Sequence, residues 1–444
     1  MSPAAGATGA PPAGGFVART VASLRSRNFR LFFVGQTISN TGNWLTMVAL
    51  TLLVLHRTGS GTAVGVLSAC QFGPMLVLSP FAGVLVDRTE KRRLLVITQL
   101  LEMGQSCVLA VLALLPAAPL GAFYATAAAG GCMLAFDNPV RRAFVNEMVP
   151  LEDVPNAVTV YSAMVNLSRV AGPALAGVLV VSVGYAWTFT VDAISYLAVL
   201  IALAMMRPAE LRRVEAAPRE PGQIRAAVRY VRSVPELWIS FAMVGIVGTL
   251  SYNFPVVFPL LVEKALHGDD GAYTLVYSVF SLGSLVGALA VARRTTVTIR
   301  TVSLGAAWLG VAMLALAAVP SVAAAVVVAA VVGAGAVAFL TAATAIAQVR
   351  TEQRMIGRVL GLQIVLVVGT TPLGGPLLGA LSDAAGARAP VVAGAAGALA
   401  AAAFGVLAAR KVRGVSPVRE GVAAGEGGPR QPASPTPRHT GGPG

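Results

Sequence analysis

The stretch Gly83-Val-Leu-Val-Asp87-Arg88-Thr-Glu-Lys91-Arg92-Arg93 joins two long apolar blocks. An apolar run ends in an acid, and four basic residues follow within six positions. The flanking blocks, about 62–86 and 94–115, are each long enough to cross a bilayer, which takes about 20 residues. Basic residues gather in the cytoplasmic loops of membrane proteins. The stretch therefore predicts a cytoplasmic turn between two transmembrane helices.

The rest of the chain repeats this alternation of apolar blocks and short polar breaks. Of its 444 residues, 56% are hydrophobic and only 12% are charged, whereas a soluble domain carries about a quarter charged residues. The composition predicts an all-α membrane protein with twelve transmembrane helices. The spans are expected at about 29–55, 62–86, 94–115, 119–137, 155–182, 186–206, 236–262, 272–292, 301–319, 321–346, 356–382 and 389–409.

The distribution of positive charge predicts the topology. With the N-terminus placed in the cytoplasm, 29 of the 33 Lys and Arg residues fall on the inner side. Arg57, Lys264 and Arg388 fall outside, and Arg169 falls within a helix. This positive-inside bias predicts cytoplasmic termini in the cell (inner) membrane and excludes nucleic acid as a partner.

Two internal similarities predict that the twelve helices form two pseudo-symmetric six-helix lobes. Gly83 and its apolar run recur at Gly287, and Gly172-Pro173 with Gly177 recurs as Gly375-Pro376 with Gly379, at offsets of 204 and 203 residues. Repeated halves with a site at their interface are typical of secondary transporters. The predicted parts are a disordered segment 1–18, a lobe 19–206, a cytoplasmic linker 207–234, a second lobe 235–413 and a disordered tail 414–444.

Other chemistry is not indicated by the sequence. No Gly-rich loop ending in Lys-Ser or Lys-Thr is present, so ATP hydrolysis by the chain is excluded. The histidines, His56, His267 and His439, form no cluster in the sequence. We therefore expect no catalytic residue, no metal site and no bound cofactor, and the chain is predicted not to be an enzyme.

The 83–93 stretch closely resembles the signature loop of the major facilitator superfamily. Further segments are similar to the enterobactin-exporter and macrolide-efflux branch of its drug:proton antiporters. These segments are Phe29–Leu31 with Gly35-Gln36 and Ser39–Trp44, Phe144–Pro150 with Asn156-Ala157, and Ser168–Pro173 with Gly177. The resemblance implies the major facilitator fold over about residues 25–410.

The resemblance also implies gating roles. Asp87 would accept hydrogen bonds at the start of helix 11, near Arg358, and lock the cytoplasmic side, while Arg88, Lys91, Arg92 and Arg93 anchor the topology or join that lock. Gly172-Pro173 with Gly177 matches the antiporter motif of helix 5, which favours export. A packing kink without directional meaning remains the alternative for the latter motif.

Three charged residues fall well inside predicted spans, away from the span ends, where a charge costs roughly 2.5–3.5 kcal/mol and indicates function. Glu102 and Asp192 are the candidates for proton coupling, and Arg169 is predicted to pair with Asp192, as a coupling element or as structural glue. Related antiporters often have Asp at the position of Asn43. Many also have a basic residue in helix 4, and this sequence is interpreted to lack that residue.

Polar side chains on other helices are candidates for the substrate cavity, which the resemblance places between helices 1, 4, 7 and 10. The alternative for each is a hydrogen bond between helices. The candidates are Gln36, Asn40 and Asn43 on helix 1, Tyr252 and Asn253 on helix 7, and Thr341 and Thr344 on helix 10. Neutral amides beside an aromatic ring suit an amphipathic ligand.

The leading prediction is a monomeric secondary transporter in the lipid bilayer, driven by the proton gradient. It would export a small amphipathic molecule, such as an antibiotic, siderophore or other secondary metabolite, by alternating access. One alternative is a facilitated or proton-coupled uptake carrier. Another, from a different class, is a membrane scaffold or sensor that transports nothing.

Overall fold

A computed structural model describes residues 22–212, 223–293 and 296–414, and these residues form helices without any β-strand. Eleven helical stretches in this part of the chain are long and apolar enough to cross a membrane. The stretch Val154–Met205 has 52 residues, about 78 Å of helix, and its backbone breaks at Gly184. At φ 83° and ψ 175° the break needs glycine. This stretch therefore crosses twice, which makes twelve crossings.

We number the crossings α1–α12. They are α1 Arg27–Thr58, α2 Gly61–Arg88, α3 Lys91–Leu114, α4 Leu120–Val145, α5 and α6 (the parts of Val154–Met205 before and after Gly184), α7 Pro235–Ala265, α8 Asp270–Ala292, α9 Ile299–Ala318, α10 Val322–Val349, α11 Ile356–Ala385 and α12 Ala389–Gly414. A linker helix, Gln223–Ser233, precedes α7, and short 3₁₀ turns lie at Ala22–Arg25, Leu151–Asp153 and Pro208–Glu210. Both described ends lie on one face of the bundle, here the terminal face; the other is the opposite face.

Two crossings are interrupted. The helix of α7 stops after Leu250, resumes over Phe254–Pro259 and ends in a π turn, and α11 breaks at Thr370. Backbone groups freed in a membrane need internal partners. Asn253 Nδ2 donates to the carbonyl of Thr249 at 2.8 Å, and Thr370 Oγ1 donates to a carbonyl one turn earlier at 3.1 Å. Local side chains therefore repair both breaks.

The two lobes, α1–α6 and α7–α12, meet along two seams near the opposite face. In the first seam, Gly61 and Gly65 of α2 lie against Gly379 and Gly375 of α11, so closely that a Cβ on Gly65 would overlap the carbonyl oxygen of Gly375. In the second seam, α5 lies against α8, with Gly177 on Thr274. Small residues allow helices to approach in this way.

The Gly-Pro repeat noted in the sequence occupies equivalent places in these seams. In α5, Gly172 packs against Trp44 of α1, and Gly177 packs against α8 of the other lobe. In α11, Gly375 and Gly379 pack against α2 of the other lobe. Each copy of the repeat thus provides glycines at which a helix of one lobe packs against a helix of the other lobe.

The basic residues on the opposite face have structural partners. Arg57 donates to the carbonyls of Leu115 and Ala118 at the end of α3, and Arg388 donates to those of Ala317 and Val319 at the end of α9. These carbonyls lie at or just beyond the C-terminal ends of α3 and α9, where the last carbonyls of a helix lack intrahelical donors. Capping a neighbouring helix explains why two arginines lie on the side with few positive charges.

One predicted boundary is wrong. The fourth span was expected to end at about 137, but α4 continues to Val145 with Pro139 inside it. Arg141 therefore belongs to a transmembrane helix and not to a loop, and helix 4 does carry a basic residue. The segments 1–21 and 415–444, which hold the predicted disordered ends, and 213–222 of the linker lie outside the described residues.

The glycine seam makes a direct prediction about stability. Gly65→Val should destabilise the protein by about 1–3 kcal/mol, because the new side chain overlaps backbone of α11. Gly73→Val in the same helix is the matched control, since a Cβ there meets nothing within 4 Å, and it should change stability by less than about 0.5 kcal/mol. Thermal unfolding of both purified variants measures the difference, and equal midpoints would contradict the seam.

Candidate functional site

A buried carboxylate lies at the centre of the N-terminal lobe. Asp192 of α6 is fully buried and accepts hydrogen bonds from Thr46 Oγ1 of α1 and Ser106 Oγ of α3, both at 2.6 Å. Ser195 adds a longer contact of 3.4 Å. Three helices therefore converge on this one side chain, and hydroxyl donors replace the water that an ionised carboxylate requires.

A second buried group of charges lies between α3 and α4. Arg141 lies 3.3 Å from Glu102 Oε2 and contacts the carboxylate of Asp137 through its Nε. Gln99 Nε2 donates to Glu102 at 3.0 Å and to Asp137 at 3.1 Å, and Thr98 donates to Asp137 at 2.9 Å. Buried charges need such pairing. With Asp192, which takes hydroxyl partners instead, the described part of this lobe buries three carboxyl groups and one guanidinium.

A cavity of about 80 Å³ lies beside these groups. Its walls include Asn43 and Thr46 of α1, Glu102 and Ser106 of α3, and Tyr196 of α6. A water molecule takes about 30 Å³ in the liquid, so the cavity holds a few waters and no drug-sized molecule. Glu102 and the two hydroxyl donors of Asp192 therefore line the same cavity.

Arg169 does not pair with Asp192, and the predicted ion pair between them is wrong. The guanidinium carbon of Arg169 lies 5.4 Å from the ring centre of Trp44, and its side chain is exposed. Asp192 takes its partners from α1, α3 and its own helix instead. Among the described residues no carboxylate forms an ion pair with Arg169.

Polar side chains of α5, from Thr159 to Arg169, form a stripe along the helix face that packs in the second seam. Gly177, Pro173 and Arg169 are spaced four residues apart, so they share one face of the helix. The first two are buried, while the stripe toward the terminal face is exposed. Its members are Thr159, Ser162, Asn166 and Arg169. Because a mid-span arginine facing lipid would be costly, we infer that this exposed face lines a cleft between the lobes that opens to the terminal face.

Aromatic side chains from both lobes surround Arg169. The rings of Trp44 in α1 and Tyr277 in α8 lie 6.3 Å apart. The ring of Tyr277 also lies 5.9 Å from that of Phe258 in α7. The inner end of the cleft thus combines one cation with apolar ring surface.

The other predicted cavity residues occupy varied places. Gln36 is fully buried, and neither amide atom has a hydrogen-bond partner among the described residues. Asn253 holds the break in α7, and the Tyr252 hydroxyl donates to the carbonyl of Ala336. Thr344 donates to its own helix. The half-buried candidates are Asn40, Asn43 and Thr341.

The predicted gating residues lie at the terminal face, at the junction of α2 and α3. Gly83 is half-buried and Arg88 is exposed, while the side chain of Asp87 lies outside the described part of the structure. Arg92 Nε donates to the carbonyl of Leu203 at 3.0 Å, and Lys91 pairs with Glu147 at 2.6 Å. Both contacts stay within the N-terminal lobe.

An acid on the opposite face joins the lobes. Asp383, at the end of α11, accepts hydrogen bonds from the backbone N–H groups of Gly61 and Thr62 at 2.7 and 2.8 Å, and from the hydroxyl of Ser60 at 2.7 Å. Lys264 lies 3.0 Å from the same carboxylate. The N-terminus of α2 is a favourable place for a negative charge. This junction, which we call the Asp383 lock, holds the opposite face closed.

Sequence reasoning missed Asp137, Arg141 and Asp383. The first two are four residues apart in α4, a spacing that signals a same-face ion pair once the helix is extended past Pro139. Asp383 ends an apolar span and gave no signal, because its partners at the start of α2 are more than 300 residues away in the chain.

Comparison with known proteins shows a matching family and several similar transporters. A family model described as transmembrane secretion effector matches residues 18–417. The staphyloferrin A transporter of Staphylococcus aureus is 24% identical over 60% of this chain and 66% of its own length. The multidrug efflux pump Tap of Mycolicibacterium fortuitum is 28% identical over 80% and 89%, and the macrolide efflux protein A of Streptococcus pyogenes is 24% identical over 59% and 65%.

A solved structure has the same fold. A bacterial homolog of the human lysosomal transporter Spinster, in an inward-facing and occupied conformation, superposes with a TM-score of 0.71. It is 16% identical in sequence, and the match covers 87% of this chain and 97% of that one. This likeness confirms the predicted fold of twelve helices in two lobes.

Removing the shared guanidinium should destabilise the N-terminal lobe. Arg141→Met leaves Glu102 and Asp137 without their cation and is expected to cost about 3–5 kcal/mol. The neighbouring Arg142 is exposed, so Arg142→Met should have an effect below about 0.5 kcal/mol. Chemical unfolding of both variants checks this, and a small loss for Arg141→Met would show that the pair adds no net stability.

Removing the Asp383 lock should favour opening of the opposite face. Asp383→Ala deletes a charged cap, which is worth about 1–2 kcal/mol, so the open population should rise about 5- to 30-fold. Asp269→Ala is the control, because Asp269 caps α8 within its own lobe by accepting from the Ala272 N–H at 2.8 Å. Pulsed electron resonance distances between spin labels on the α3–α4 and α9–α10 loops report the opening; identical distance distributions in both variants would contradict the assignment.

Proposed function

The chain belongs to the transmembrane secretion effector family of the major facilitator superfamily, and we propose that it exports a small amphipathic molecule by proton antiport. Its terminal face is the cytoplasmic face of the cell membrane, since that side carries nearly all the loop arginines. The relatives named as efflux proteins support export as the direction of transport.

The cleft carries the proposal. Its exposed α5 stripe opens to the cytoplasmic side, while the glycine seams and the Asp383 lock close the other side. This is the conformation in which an exporter takes up its cargo. Rocking of the lobes about the middle of the membrane then opens the seams and releases the cargo outside.

Arg169 and its aromatic neighbours form the substrate-binding region in this proposal. The rings of Trp44 and Tyr277 offer flat apolar surface, and Arg169 offers a cation without an acidic partner among the described residues. A ligand with an apolar body and one acidic group satisfies both features. An antibiotic, a siderophore or another secondary metabolite with such a group fits the region.

Protons bind elsewhere, in the N-terminal lobe. Among the described residues, Glu102, Asp137 and Asp192 are buried with Arg141 as the one buried cation, so full ionisation would leave this group of side chains with a net charge of −2. Binding a proton at Asp192 or Glu102 relieves that imbalance. The small cavity beside Glu102 and Ser106 supplies the water path that such a proton needs.

Helix α1 couples the two sites. Thr46 donates a hydrogen bond to Asp192. Two residues earlier, the ring of Trp44 lies against the guanidinium of Arg169 and packs on Gly172. A protonated Asp192 accepts hydrogen bonds more weakly than a carboxylate, so Thr46 is held less firmly. Protonation therefore loosens α1 against α6 at the level where the ligand binds.

Efflux measurements test the proposal. A strain lacking the protein should retain more of at least one compound in a panel of amphipathic acids, and everted vesicles should accumulate that compound when a proton gradient is present. Asp192→Asn, which keeps the size of the side chain, should abolish the gradient-driven component. The exposed Glu152→Gln is the control. Uptake by intact cells, or transport indifferent to the gradient, would refute proton-driven export.

A kinetic comparison tests the role of Arg169. Arg169→Gln should raise the KM for the acidic substrate about tenfold or more, because a hydrogen bond to a charged group is worth about 1.5–3 kcal/mol. Arg169→Lys keeps the charge and should recover part of that loss. The same KM in all three proteins would show that the substrate does not contact Arg169.

A further inference from the structure

Four polar side chains from both lobes meet at the opposite face, apart from the cleft. His56 ends α1, Tyr185 begins α6, Glu263 lies near the end of α7 and Asp270 begins α8. His56 Nε2 lies 3.3 Å from Glu263 Oε2 and 3.1 Å from Asp270 Oδ1. The three ligand atoms all lie within 4.8 Å of one another.

The hydrogen bonds around Tyr185 determine which His56 nitrogen is free. The Tyr185 hydroxyl donates its single proton to Asp270 Oδ2 at 2.8 Å. Its contact of 2.7 Å with His56 Nδ1 therefore requires Nδ1–H to be the donor. In the neutral ring the other nitrogen, Nε2, then carries a lone pair that points toward two carboxylates.

That arrangement needs a cation. A lone pair facing two carboxylate oxygens is repulsive, and Glu263 Oε1 and Asp270 Oδ1 are buried without a hydrogen-bond donor among the described residues. One proton on Nε2 leaves the three side chains with a net charge of −1. A divalent ion on a neutral imidazole brings the same group to zero.

The spacing of the ligand atoms fits a metal. Ligands 2.0–2.1 Å from a tetrahedral ion lie about 3.3 Å apart, which matches the two nitrogen–oxygen distances. Imidazole with carboxylates suits Zn²⁺ and similar transition metals, whereas Mg²⁺ and Ca²⁺ prefer oxygen ligands alone. The Tyr185 hydroxyl, by accepting from Nδ1–H, orients the ring as the outer partners of metal-bound histidines do.

We propose that His56, Glu263 and Asp270 form a binding site for a divalent transition metal of the Zn²⁺ type. The His56 side chain is 44% exposed and the two acids 13%, so an ion enters from the outer solution. His56 comes from one lobe and both acids from the other. A bound ion therefore staples the lobes and holds the opposite face closed, as the Asp383 lock does beside it.

Calorimetric titration of the purified full-length protein with Zn²⁺ alone tests the site, with a purification tag that contains no histidine. The wild type should bind one ion, and His56→Gln or Glu263→Gln should weaken binding at least tenfold. Tyr185→Phe keeps all three ligands and should cost about 10- to 100-fold. His267→Gln, an exposed histidine in the adjoining loop, is the matched control and should bind as the wild type does.

The staple has its own readout, which is independent of any transported substrate. Zn²⁺ should raise the unfolding temperature of the wild type and of His267→Gln, but not that of His56→Gln, while Mg²⁺ should raise none. Folding of each variant is established by its unfolding transition without metal. Binding that survives both His56→Gln and Glu263→Gln, or a wild type that binds no Zn²⁺, overturns the proposal and leaves a proton as the occupant of Nε2.

Discussion

The lipid bilayer offers no hydrogen-bond partners to the protein, and the hydrophobic effect does not drive helices together within it. These two constraints underlie the whole structure. Close contact must come from small residues instead. Gly65 with Gly375 and Gly177 with Thr274 let the lobes approach until backbone meets backbone or a small side chain. Each seam can separate without leaving a large apolar surface to be wetted, which suits an interface that opens and closes.

The same constraints explain where the charges lie. Among the described residues, the fully buried charged groups, Glu102, Asp137, Arg141 and Asp192, all belong to the N-terminal lobe. The C-terminal lobe has only neutral polar groups at comparable burial, such as Asn253. The lobes share a fold but differ in their interiors. An interior with buried ionisable side chains therefore lies beside one whose buried polar groups, among the described residues, are neutral.

The opposite face is held by electrostatic contacts that can be reversed. Asp383 on the N-terminus of α2 uses the interaction that the resemblance assigns to Asp87 on the terminal face, an acid against the first N–H groups of a helix in the other lobe. The nearby cluster of His56, Glu263 and Asp270 adds a contact whose strength depends on its cation. Both contacts are lost when the lobes separate, so they bias the equilibrium between open and closed states.

Some of this was accessible from the sequence. Twelve crossings, their two-lobed repeat and the confirmed superfamily follow from apolar block lengths, loop arginines and the 83–93 stretch, because bilayer thickness and charge bias act on local sequence. These features depend on residues that are near one another in the chain.

Which charges meet was decided only by the tertiary structure. Arg169 and Asp192 are 23 positions apart and seemed natural partners in the sequence, yet Arg169 lies on Trp44 while Asp192 is held by Thr46 and Ser106. Likewise, nothing local connects His56 with Glu263. The pairing of charged side chains depends on how each helix is rotated and on which of its faces is buried. Packing between segments that are distant in the chain sets both. The sequence by itself determined the crossings, their order and their direction.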